Sequence, residues 1–82
     1  MVKIHPHALQ RCEERGASVD EVILTVETGE VFPAKFGRTG FRHNFIFNAD
    51  WNGKYYITKQ IEVFAINNND HWLVITILVK YF

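Results

Sequence analysis

The sequence is short of most features that mark a specialised class. One cysteine, Cys12, leaves no partner for an internal disulfide. Two prolines and five glycines are too few for a low-complexity linker, and no glycine-rich loop able to cradle phosphate is present. The formal net charge is zero, unlike that of strongly basic nucleic-acid binders. No apolar run suits a membrane helix and no signal-peptide core precedes the fold, so a cytoplasmic setting without membrane contact is expected. His5, His7, Cys12 and His43 match no standard zinc spacing, and neither a metal nor a cofactor is expected. Nor is there a paired-carboxylate cleft or a Ser/His/Asp pattern.

What is present describes one small domain, residues 1–82. Hydrophobic residues make up 48% and charged residues 22%, a balance that argues against disorder. Seven phenylalanines help so short a chain bury enough surface to fold. Charge is uneven. Residues 1–30 carry three Lys/Arg against six Asp/Glu, and residues 31–82 carry six against three. A basic sheet beside an acidic helical layer would hold an anion on one side. An ordinary scatter of solvated charge is the competing reading.

The closing stretch, Trp72–Phe82, is apolar on both alternating faces. That pattern predicts a strand inside a sheet with cover on both sides, Leu73, Ile75, Ile77, Val79 and Tyr81 sharing one face. At the other end, Val2–Ile4 reads as a short strand or an extended lead-in. Pro6 suits a first helical turn, and the first helix runs from about Pro6 to Arg15, with Gly16 left-handed behind it. Ser18-Val19-Asp20-Glu21 is a capping box opening a second helix that Gly29 ends. Val19, Val22, Ile23 and Val26 give that helix its apolar stripe.

Period-two patterning then takes over. Val31–Phe36 is a candidate edge strand with Pro33 in it, and Gly37–Gly40 a turn. Phe41–Asn48 is a half-buried strand. Asn52-Gly53 is a hairpin signal, Tyr55–Ile66 a long strand and Asn67–Asp70 a polar turn. The expected class is α+β: two N-terminal helices packed on an antiparallel sheet of three to four strands.

Four groups of residues carry potential chemistry. His7, Arg11 and Arg15 recur every four residues and share a stripe of the first helix. Three cations in a row suit an anion such as a phosphate backbone, and Arg offers a permanently charged fork. Pairing with Glu13, Glu14 or the second helix is the plainer use. Lys59 shares an apolar register with Ile57, Ile61, Val63 and Ala65. A lysine there either reaches water or stabilises developing negative charge. Arg38, Arg42 and His43 flank the first hairpin, with Arg42 on the polar register and His43 on the apolar one. Tyr81, beside Lys80, either packs, stacks on a base or carries a proton.

The stretch from His7-Ala8 through Arg11 and Arg15-Gly16 to Ser18 and Val22 resembles the opening motif of domain of unknown function 4258. Gly37–Arg42, Tyr55–Glu62 and Trp72–Phe82 are similar to its later blocks. The resemblance implies a fold related to RelE/ParE toxins, in which RNA lies against the open sheet face. It implies a metal-independent endoribonuclease, attack by a 2′-OH on the adjacent phosphate, and a small antitoxin partner. Carried over by residue, His7, Lys59 and Tyr81 would be catalytic. Arg11, Arg15, Arg38 and Arg42 would bind RNA phosphate, and Thr76 matches a strand motif. A homodimer is a further expectation. The competing expectation is a non-catalytic module on the same fold, its Arg and Lys residues held in ion pairs and its exposed sheet face docking a protein. Convergence of His7, Arg11, Arg42 and Lys59 in one concave patch would favour the enzyme.

Overall fold

A computed structural model describes residues 1–82. The elements are β1 (Val2–Ile4), α1 (Pro6–Arg15), α2 (Val19–Thr28), β2 (Glu30–Pro33), β3 (Thr39–Trp51), β4 (Lys54–Asn68) and β5 (His71–Tyr81). The class is α+β, but the expected three- to four-stranded antiparallel sheet is corrected. The sheet is five-stranded and mixed, in the order β1-β5-β4-β3-β2. β2 to β5 pair antiparallel, whereas β1 runs parallel to β5, Val2 opposite Trp72 and Ile4 opposite Val74. Three residues are too few to display a period. Their pairing partner is also some seventy positions away in sequence, so nothing local announces this strand.

Local signals built both helices. Pro6 sits in the first turn of α1, and the preceding His5 caps it, Nδ1 accepting from the His7 N–H at 3.1 Å. Gly16 ends α1 at φ 79°, the left-handed region that suits glycine. A side chain there would also meet the Tyr81 hydroxyl and the Trp51 ring. Ser18 and Glu21 form both halves of the capping box of α2. At the β3–β4 turn, Asn52 and Gly53 both have positive φ, as a two-residue mirror-image turn requires.

Both helices cover one face of the sheet, α1 over β5 and α2 over β3 and β4. Small Ala8 and Cys12 let α1 lie close, and Val22, Thr25 and Val26 are buried beneath α2. They meet Phe41, Ile61, Val63, Ala65, Val74 and Ile77 in one core. Burial pushes the Cys12 thiol above its ordinary range, a backbone hydrogen bond opposing it only in part.

Two further expectations need correction. Strict alternation does not hold along β5. Ile77 pairs with Val63 but Val74 with Ala65, so Ile75 is an extra residue. This bulge turns Trp72 and Val74, rather than Leu73, to the same face as Ile77, Val79 and Tyr81. The other face of β5 has no covering element either, and Leu78 there is 40% exposed.

Candidate functional site

The inner, helix-covered face holds Lys59. Its register beside Ile61 is as the pattern implies, and the residue is 7% exposed. Burying an ammonium costs several kcal/mol unless it is paired and hydrogen-bonded. Nζ donates to Glu21 Oε1 at 2.8 Å and to the Gly16 carbonyl at 2.9 Å, and it lies 5.5 Å from the centre of the Phe47 ring. Glu21 Oε1 also accepts from the Ser18 N–H at 3.0 Å. The helix cap and the buried lysine therefore share one carboxylate oxygen.

Tyr81 stands directly across from Lys59 on β5. Its hydroxyl donates to the Arg15 carbonyl at 2.7 Å. The ring stacks on Trp51 at 4.9 Å and meets Phe47 edge-on at 5.1 Å. Burial first, and then the negative charge of Glu21, raise the phenol above its ordinary range. Tyr81 is thus a proton donor already committed to a carbonyl.

The stripe on α1 divides. His7 is exposed. Arg11 pairs with Glu14 at 2.9 Å on the same helix. Arg15 turns inward and donates to the Ile77 carbonyl.

Arg42 and Arg38 belong to the opposite, open side of the sheet. Strand register puts Glu30, Arg42, Glu62 and Leu78 in one row across it. Arg42 reaches Glu30 at 3.0 Å and Glu62 at 3.0 Å, with its guanidinium carbon 4.5 Å above the centre of the Phe32 ring. Its pKa is raised, chiefly by the hydrogen bond to Glu30. The next row is Phe32, Gly40, Phe64 and Thr76. Any side chain at Gly40 would run into the Phe32 ring. With that space free, Phe32 lies against the sheet and packs edge-on to Phe64 at 5.9 Å. Phe32, Phe64 and Leu78 floor a groove of about 400 Å³, walled by Pro33 and Phe36 and rimmed by Lys35 and Arg38.

The seven residues expected to be catalytic or to bind phosphate therefore form no single patch. Lys59, Tyr81 and Arg15 come together on the inner face, His7 and Arg11 lie on the exposed side of α1, and Arg42 and Arg38 face outward from the far side of the sheet. Sequence reasoning did not single out Glu21, which read only as a cap, nor the groove phenylalanines. Phe32 and Phe64 on an otherwise polar register were the available signal. No three His, Cys, Asp or Glu side chains gather in a way that would hold a metal ion.

Fold and site together define a small α+β domain with one sealed sheet face and one open face bearing an apolar groove. A family model described as "Domain of unknown function (DUF4258)" matches residues 4–79, and the chain belongs to that family. No curated protein and no solved structure matches it. No helix is long and apolar enough to cross a membrane.

Proposed function

We propose that this chain is a non-catalytic binding module that docks a protein partner on the open face of its sheet. The observation that carries the reading is the division of the candidate catalytic and phosphate-binding residues between opposite sides of the sheet. Three of their cations are already held in ion pairs, Arg11 by Glu14, Lys59 by Glu21, and Arg42 by Glu30 and Glu62. A phosphate would have to displace a carboxylate at each. A cytoplasmic setting belongs to the same proposal, with the thiol of Cys12 kept reduced.

The rival, a RelE-like metal-independent endoribonuclease neutralised by a small antitoxin, is favoured by one observation. Lys59 and Tyr81, two of the candidate catalytic residues, are cross-strand neighbours. Regulated expression in a bacterium, with growth and RNA integrity followed together, separates the two. The binding module leaves growth and RNA unaffected when the protein is shown to be folded. Growth arrest with RNA fragmentation, relieved by Tyr81→Phe in a protein shown to remain folded at the growth temperature, would overturn it.

A further inference from the structure

We infer that the groove floored by Phe32, Phe64 and Leu78 takes a short acidic, apolar segment of another protein, whose carboxylates meet Lys35 and Arg38. This rests on the binding-module reading and names the occupant of its open face. Lys35 and Arg38 stand at the rim with no ion-pair partner. The face around them is basic. Register and loop position give it Lys3, Lys35, Arg38, Arg42 and Lys80 against Glu30 and Glu62, with Asp70 in the neighbouring β4–β5 turn. Arg42 and Lys80 pair with those two glutamates, which leaves Lys35 and Arg38 as the free cations beside the groove. An apolar floor with free cations at its edge is complementary to apolar side chains flanked by Asp or Glu.

Backbone strain marks the same place. Phe36 has φ 62° and is 85% exposed. The left-handed region is disfavoured for a bulky residue, and almost no burial offsets it here. An aromatic ring held in that conformation at a groove wall is an outlier of the kind that accompanies binding sites.

Two other occupants fit less well. An RNA strand would have to cross the row Glu30, Arg42 and Glu62, where the central cation is already neutralised by two carboxylates. A second copy joined open face to open face would oppose two basic surfaces. Joined open face to acidic helices, it would form a head-to-tail contact, which builds rings or open filaments rather than a closed pair.

The test is selection of random twelve-residue peptides displayed on phage against the purified chain, with a selected peptide then synthesised and titrated. Peptides combining Leu, Ile, Phe or Trp with Asp or Glu are expected. Affinity should fall at least about tenfold in the Lys35→Glu/Arg38→Glu protein, whose changes lie in the β2–β3 connection, Lys35 exposed and Arg38 half-buried. Phe36→Gly should also weaken binding while leaving the protein no less stable. Failure to enrich peptides, enrichment of basic ones, or affinity indifferent to the double reversal overturns the inference. So does a single-stranded RNA oligonucleotide that binds the parent but not the double variant, or a dimer in sedimentation that buries the groove. RNA cleavage by the parent would overturn the non-catalytic reading separately, whatever the peptides do.

Discussion

The two faces of the sheet use the same pairing to different ends. On the inner face, Lys59 is held by Glu21. On the outer face, Arg42 is held by Glu30 and Glu62. The lysine side chain is 9% exposed and the arginine 35%. Lys59 is sealed by the helix connection and by Phe47 and Tyr81, so its charge acts within the fold, tying the start of α2 to β4. Arg42 lies in the open, under no other element, and organises a surface. A cation on a strand thus takes its meaning from the carboxylates and the cover around it. Strand register alone supplies neither.

Lys59→Ala is the strongest way to break this contrast. It removes the partner of Glu21, orphans the Gly16 carbonyl and opens space against Phe47. Losing one member of a buried, hydrogen-bonded pair costs about 2–4 kcal/mol, read as a shift in the urea unfolding midpoint. A loss below about 0.5 kcal/mol, the usual size for a surface position, would show that Lys59 is not sealed in this way. Because of this expected cost, lost activity in Lys59→Ala would report unfolding as readily as chemistry. Tyr81→Phe is the cleaner probe of the enzymatic rival.

Gly16→Ala attacks the same face from the connection between the helices. The added methyl group must adopt a left-handed backbone and enter space held by the Tyr81 hydroxyl and the Trp51 ring. Left-handed strain and overpacking together are expected to cost about 1–3 kcal/mol. A neutral result in thermal unfolding would mean that the aromatic cover over Lys59 yields easily, and the two faces would be less different than their burial implies.

The parts of the fold legible in the sequence were those with local causes. Pro6, Gly16 and the Ser18–Glu21 capping box fixed the helices within a residue or two, because caps act over one turn. Asn52-Gly53 fixed the long hairpin for the same reason. The β1–β5 pairing joins the two ends of the chain and left no periodic trace in Val2–Ile4. The bulge at Ile75 was hidden for the opposite reason: when Leu73, Val74, Ile75 and Ile77 are all apolar, either register looks correct. At the site, Lys59 was visible as a cation on an apolar register. Its partner was not, because Glu21 already had a sufficient local explanation as the helix cap. The groove depends on Phe32 and Phe64 meeting from strands on either side of β3, a contact that only the pairing reveals.

The smallest expected effect is a change in pH dependence, and it isolates Tyr81 within the sealed face. Burial and Glu21 raise its phenol in the folded chain, against about 10 when unfolded. A group whose folded pKa is raised binds more protons in the native state. Its contribution to stability is therefore complete below about pH 10 and declines as pH rises from there through the folded value. Cys12, also raised by burial, adds a similar decline that begins nearer pH 8.5. Unfolding midpoints in urea between neutral and strongly alkaline pH should thus fall in the parent. In Tyr81→Phe the decline should shrink to the part that Cys12 supplies, from a lower starting stability because the bond to the Arg15 carbonyl is gone. Identical alkaline profiles in the two proteins would mean that burial and Glu21 do not raise the Tyr81 phenol. The inner face would then be open to water and ions, and Lys59 and Tyr81 would return as candidates for chemistry.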